Sequence, residues 1–171
     1  MLDSLFASLE LCLDRVNSAV AKVSSGIVIV LMGCMIVIMG AQVFARYVLN
    51  SSIFWNEEFA RYTLIWCVFL GAGLAYKEEQ HINIADFLNV FPARVATLIL
   101  LLCQAVLVFF LIFLFQYGSI LALNNFKRGH ISPALQMPVS LAYLAMPVGA
   151  VAMLLQVFQK TVRLCRNLLK M

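Results

Sequence analysis

Charged side chains along this chain are confined to short segments, and four long apolar runs lie between them. The first run, 26–45, has twenty positions without a charge. The second, 62–76, has fifteen, and the stretch from Phe54 to Tyr76 that includes Glu57, Glu58 and Arg61 has 23 residues. The third, 95–126, has 32, and the fourth covers 131–159. An α-helix needs about 20 apolar residues to cross a hydrocarbon core of roughly 30 Å, so each run supports one crossing. Together they predict membrane helices near 25–49, 53–76, 92–123 and 138–160. The third run exceeds a perpendicular crossing and must tilt, protrude, or end before Asn124-Asn125. Pro147 predicts a kink in the fourth, because proline removes an intrahelical donor and crowds the carbonyl four residues earlier.

Residues 1–24 predict a different kind of helix. Leu5, Leu9, Cys12, Val16, Val20 and Val23 recur at helical spacing, while Asp3, Asp14, Arg15, Ser18 and Lys22 fall on other sides. Next to a span, such a segment is expected to lie in the lipid interface. The acids Asp3, Glu10 and Asp14 precede the first long apolar run, so no cleavable signal is expected. Asn50-Ser51-Ser52 forms a short turn and formally matches a glycosylation acceptor. Residues 77–91 mix charge with Ile82, Ile84, Phe87, Leu88 and Phe91, the pattern of a short amphipathic connector on the membrane surface. Pro92 suits the first turn of the following helix, where its missing N–H costs nothing. The chain reads as one all-α integral membrane domain over 1–171: four transmembrane helices, an N-terminal amphipathic interfacial helix at 1–24, and a basic tail at 161–171.

The second span is the one the others are arranged around. It opens with Trp55, Glu57, Glu58 and Arg61, and charge returns only at Lys77, Glu78 and Glu79. On a helix Glu57 and Arg61 lie one turn apart in the favourable acid-before-base order, at an end where peptide dipoles also favour carboxylates. Two readings are open: an interfacial ion pair that seats the helix, or a docking site for another membrane protein. Arg46, at the far end of the first span, would sit beside this cluster, with Gln42 one turn before it. Small residues offer a second kind of contact, because helices in lipid associate where backbones can approach closely. Gly26, Gly33 and Gly40 repeat every seven residues, and Ala142, Ala145, Gly149 and Ala152 make a similar face in the fourth span. The candidate partner-interface residues are therefore Gly33, Gly40, Arg46, Trp55, Glu57, Glu58, Arg61, Ala145 and Gly149. The phenylalanines at 109 and 113 are expected to face lipid.

Only 12% of the residues are charged, against about 25% in a soluble domain, and 64% are hydrophobic. The net charge of +4 is small, and its cations sit at helix ends rather than along a stripe that would bind nucleic acid. Four spans put both termini on one side, with Arg15, Lys22, Lys77, Arg94, Lys160, Arg163, Arg166 and Lys170. The opposite side holds Arg46, Arg61, Lys127 and Arg128. Eight cations against four predict cytoplasmic termini and an extracytoplasmic Glu57/Glu58/Arg61 cluster. Of the five cysteines, Cys34, Cys67 and Cys103 fall inside apolar runs and no CxxC pair exists, so they read as small apolar fillers.

Several function classes lack their chemistry here. Autonomous secondary transporters carry ionisable groups in mid-membrane, broken helices or repeated halves. A haem-binding membrane subunit would need histidines inside its spans, whereas His81 and His130 fall in loops. No nucleophile–base arrangement, phosphate-cradling loop or metal-ligand cluster is present. The chain is expected to have no catalytic, metal or substrate-binding residue, to need no cofactor, and not to be an enzyme.

The segments W-N-E-E-F-A-R-Y (55–62), V-F-L-G-A-G-L-A (68–75) and K-E-E-Q-H-I-N-I (77–84) resemble the small membrane subunit of the tripartite ATP-independent periplasmic (TRAP) transporters. The segment 132–149, S-P-A-L-Q-M-P-V-S-L-A-Y-L-A-M-P-V-G, is similar to that family's approach to its fourth span. The resemblance covers nearly the whole chain through the order and spacing of these segments. The family often has an acid directly after the H-I-x-V/I segment; Ala85 stands there, and Asp86 is assigned no role. The resemblance implies a bacterial inner-membrane complex. Its large membrane subunit would carry the substrate and sodium sites, and a soluble periplasmic protein would capture an organic acid such as a four-carbon dicarboxylate or a sialic acid. The small subunit would brace the large one within the surrounding lipid. Two other readings compete: a small homo-oligomeric transporter or channel lined by Gln42, Gln104 and Gln116, and an anchor subunit of a respiratory complex.

Overall fold

The structure, a computed structural model, describes residues 2–51, 54–77 and 93–169. Its helices are α1 (Leu2–Val48), α2 (Asn56–Lys77), α3 (Ala93–Lys127), the single turn α4 (Ser140–Tyr143) and α5 (Ala145–Leu169). Among the described residues, four segments are long and apolar enough to cross a membrane: Leu13–Val48, Asn56–Lys77, Leu98–Lys127 and Ser140–Val162. The four expected spans and the all-α class are therefore present. The expected connector at 77–91 lies outside the described residues beyond Lys77.

The expected interfacial helix is not a separate element. α1 runs unbroken for 47 residues, about 70 Å at 1.5 Å per residue, more than twice a hydrocarbon core. No proline interrupts it, and a break near Ser24 would leave orphan N–H and C=O groups at two new helix ends. The inward residues also differ from the apolar stripe read in the sequence. Asn17, Ala21 and Ser24 are buried, while Val16 and Val23 point outward. In lipid the apolar side faces out, and small or polar side chains are what a neighbouring helix can cover.

This inward row continues down α1. Asn17, Ala21, Ser24, Val28, Leu31, Met35, Ile38, Gln42 and Ala45 are less exposed positions, alternating four and three residues apart. Such spacing is the heptad seam of helices packed nearly antiparallel or parallel. α1 lies against α2 along its length and touches α5 near its N-terminal half. The inward side of α2 repeats at seven residues, with Asn56, Thr63 and Leu70 buried. α5 occupies the middle, against α2 on one side and α3 on the other. A small core forms where Tyr76, Leu111 and Val157 meet.

Interhelical hydrogen bonds lock the layers. Tyr76 Oη donates to Gln104 Oε1 at 2.9 Å, joining α2 to α3. Gln104 thus bonds between helices, whereas Gln116 is exposed. Lys160 Nζ lies 5.3 Å above the Tyr76 ring. Tyr76→Phe removes the hydroxyl and is expected to destabilise by about 0.6–1.7 kcal/mol, the range for hydrogen bonds between membrane helices. Thermal unfolding of the purified protein in detergent measures it. At the opposite face of α5, Asn17 donates to Leu155 O at 3.3 Å and to Gln159, and Gln159 donates to Asp14.

The break expected from Pro147 comes at Leu144, between α4 and α5. Proline cannot donate to the carbonyl of Tyr143, four residues earlier, so the helix loosens there. Leu144 itself keeps helical dihedrals, and its N–H reaches Ser140 O at 3.0 Å, so the two pieces form one kinked span. Gly118 accommodates the kink: a Cβ there would lie 2.9 Å from Met146 Cβ and 3.3 Å from Pro147 Cδ. α5 continues as helix through 161–169, within the basic segment at 161–171.

Candidate functional site

The end of the bundle formed by the C-terminus of α1, the N-terminus of α2 and the loop between α3 and α4 carries the charged cluster. That loop folds back on itself. Ser132 N donates to Met137 O at 2.9 Å, Val139 N to His130 O at 3.0 Å, and Gln136 N to Ser132 O at 3.0 Å. Gly129 supplies the left-handed turn that starts it, with φ 62°. Within the turn, successive N–H groups of Ala134 and Leu135 point the same way, an arrangement that receives an anion.

Glu58 is that anion. Its Oε2 accepts from Ala134 N at 3.1 Å, from Leu135 N at 2.9 Å, and from the buried Ser132 hydroxyl. The sequence offers Arg61, Arg46 or a cation on another subunit as its partner. The structure instead pairs it with three uncharged donors of its own chain. Glu57, one position earlier, points outward and is exposed, as are Arg61 and Arg46. Glu57 and Arg61 thus share a helical side and stand exposed at the helix end. A cavity of about 240 Å³ opens beside Glu58, with Arg61, Tyr62, Ser132 and Tyr143 on its walls.

Asn56 anchors the start of α2 from the other side. It is fully buried and donates to Gln42 on α1, with Met39 Sδ at 3.6 Å. Gln42 thus serves α2 rather than joining Arg46. Trp55 is half exposed and stacks edge-on against Phe59, with ring centroids 6.4 Å apart. Trp66 Nε1 donates to Leu141 O at 3.1 Å, tying α2 to α4.

The small-residue candidates divide. Ala145 is fully buried, and a Cβ on Gly149 would meet Phe69 Cβ at 2.7 Å and its carbonyl oxygen at 2.9 Å, so this face packs on α2 within the chain. Gly33 and Gly40 have nothing within 4 Å of a Cβ position and lie on the exposed side of α1. Their seven-residue spacing matches the seam's own period, which keeps them on the side away from α2. Phe109 and Phe113 are exposed, as expected of lipid-facing residues. Sequence reasoning missed Asn17, Asn56, Ser132 and Gln159. The available signal was a polar side chain at the seam spacing, or, for Ser132, its place next to a proline in a tight loop.

Among the described residues no three His, Cys, Asp or Glu side chains are grouped to hold a metal ion. Cys34, Cys67 and Cys103 are free thiols. The four crossings, their polar interhelical pairs and the apolar exterior define a multi-pass membrane protein. Residues 35–167 match the family described as tripartite ATP-independent periplasmic transporters, DctQ component, and the chain belongs to that family, one of transporter permease components and not of enzymes. Family membership makes it a multi-pass protein of the inner membrane. It is 29% identical over 112 residues to the ectoine TRAP transporter small permease protein TeaB of Halomonas elongata, covering 64% of this chain and 56% of that one. A putative TRAP transporter small permease protein of Haemophilus influenzae is 32% identical over 116 residues, 64% of this chain and 66% of its own. The sialic acid TRAP transporter small permease protein SiaQ of Vibrio cholerae is 29% identical over 133 residues, 75% and 73% of the two chains. The match thus spans between about half and three quarters of these relatives.

Proposed function

We propose that this chain is the non-catalytic small membrane subunit of a sodium-coupled, binding-protein-dependent transporter of organic acids, and that it braces the large transport subunit. The observation that carries this is where its polar side chains go. Gln42 is taken by Asn56, Gln104 by Tyr76, and Gln159 by Asn17 and Asp14. Two of the three glutamines that a homo-oligomeric channel would need for its lining are thereby consumed in holding the helices together. What the chain offers outward is apolar surface, the open glycines of α1 and the charged end with Arg46, Trp55, Glu57 and Arg61.

A partner of larger size fits a further likeness. The sialic acid TRAP transporter permease protein SiaT of Haemophilus influenzae is 31% identical over 85 residues, half of this chain but only 14% of that protein. In that relative a segment like this one is continuous with a much longer permease. Names among the relatives include ectoine, sialic acid and C4-dicarboxylate, the range of small polar solutes from which this chain's substrate would come. In this reading the sodium and substrate sites lie on the large subunit, a soluble periplasmic protein delivers the solute, and both termini of this chain are cytoplasmic.

Deleting the chain is expected to abolish uptake of the solute, with recovery on complementation. Expression of this chain alone in a host lacking such a system should give no uptake. Solute flux from the chain alone would contradict the proposal. For orientation, reporter fusions after Ser51 and Arg128 should score as extracytoplasmic and one after Gln80 as cytoplasmic; the reverse pattern would place the termini outside.

A further inference from the structure

An apolar groove of about 560 Å³ lies on the outside of the bundle, between α3 and the α4–α5 span. Phe115, Ala122 and Phe126 form one wall, and Leu144, Val148 and Val151 the other. Gly118 lets Met146 and Pro147 press close at its base, and the nearby Ala122 is buried. Of the two serines that line it, Ser119 Oγ donates to Phe115 O of its own helix at 2.6 Å, and Ser140 is buried. From Phe115 to Phe126 the wall rises about 16 Å, at 1.5 Å per residue. That is close to half of a ~30 Å hydrocarbon core, the depth of one leaflet. The upper end of the groove is Phe126, and directly beyond it stand Lys127, the last residue of α3, and Arg128, both exposed. Glu58, the carboxylate bound to the loop that follows, has its Oε2 already occupied by Ser132, Ala134 and Leu135.

We infer that this groove binds one acyl chain of an anionic phospholipid, whose phosphate sits at Lys127 and Arg128. The groove supplies what an acyl chain needs: apolar walls, an opening to the lipid side and the length of a single leaflet. The cations supply the choice of headgroup, since each Lys or Arg near a membrane surface favours anionic lipid. The lipid would fill the groove between α3 and α5 beside Pro147. This inference needs only that the chain is embedded in a membrane, and it stands apart from the subunit role proposed above.

The test uses the full chain in nanodiscs of equal phosphatidylglycerol and phosphatidylcholine with the same acyl chains, followed by native mass spectrometry of retained lipid. The expected preference for phosphatidylglycerol is roughly thirtyfold, the size that two interfacial cations confer at about 1 kcal/mol each. Lys127→Gln with Arg128→Gln should bring the two lipids near parity while lipid is still retained. A phosphatidylglycerol carrying a photoreactive acyl chain should label peptides within 115–126 and 144–151, and Leu123→Trp, at an exposed groove position, should remove that label. Equal retention of both lipids by the unsubstituted chain would overturn the headgroup assignment. Labelling elsewhere, or labelling that survives Leu123→Trp, would overturn the groove. Should the chain co-purify with a larger membrane protein that cross-links to Leu123→Cys and excludes the lipid, the groove is a protein interface and the inference is wrong.

Discussion

Gly149→Leu is expected to be the most damaging single substitution in the membrane-embedded part of the chain. At this position α5 lies directly on the backbone of α2. A single added carbon would approach Phe69 Cβ to 2.7 Å, its carbonyl oxygen to 2.9 Å and its carbonyl carbon to 3.1 Å. Two of those three atoms are backbone, so no side-chain rotation relieves the clash. Overpacking of this kind costs about 1–3 kcal/mol for small increments; Gly149→Ala should fall in that range and Gly149→Leu beyond it. Thermal unfolding in detergent is the measurement. Gly33→Leu is the matched control, because nothing lies within 4 Å of its Cβ position; an exposed substitution should stay within about 0.5 kcal/mol of the parent. Equal losses for Gly149→Leu and Gly33→Leu would mean that α5 does not sit on Phe69.

The second large effect is expected at Glu58, and its neighbour should be nearly silent. Glu58→Ala strips the acceptor from two backbone N–H groups and from the buried hydroxyl of Ser132, all within the loop between α3 and α4. Unmade hydrogen bonds of buried groups cost more than made ones contribute, so the loop would open rather than adjust. Limited proteolysis between residues 130 and 139 reads this directly. Cleavage should rise on the order of tenfold, the factor expected from losing one charge-assisted hydrogen bond. Glu58→Gln should fall between, since an amide oxygen still accepts but carries no charge. Glu57→Ala, at an exposed carboxylate, should cleave like the parent. Indistinguishable cleavage of Glu57→Ala and Glu58→Ala would show that the carboxylate does not hold the loop.

These two cases mark what the sequence made legible. The four crossings could be read directly, because apolar runs of fifteen to 32 residues bounded by charge have few alternatives in a protein so poor in charge. The charged end of α2 was equally visible, but not which acid turned inward. Pattern reasoning pairs carboxylates with cations, and Glu58 is bound by neutral donors brought from residues 132–135, far away in sequence. Periodicity likewise marked both small-residue faces without saying which face meets a neighbour. Gly33 and Gly40 repeat perfectly and stay open, while Gly118, part of no small-residue repeat, fits closely against the kinked span. Residues 2–24 and the first span form one continuous helix, and the sequence did not mark Asn17, which α5 partners through Leu155 O and Gln159.

The central claim is that this chain is a holding subunit and not itself the path of the solute. Affinity purification of the tagged full chain from its native membranes in mild detergent, with the mass of the eluted particle measured, addresses it most directly. The account predicts a particle containing one much larger membrane protein in fixed ratio to this chain, with the larger protein lost when the contacting surface of this chain is disrupted. A particle containing only copies of this chain would contradict it.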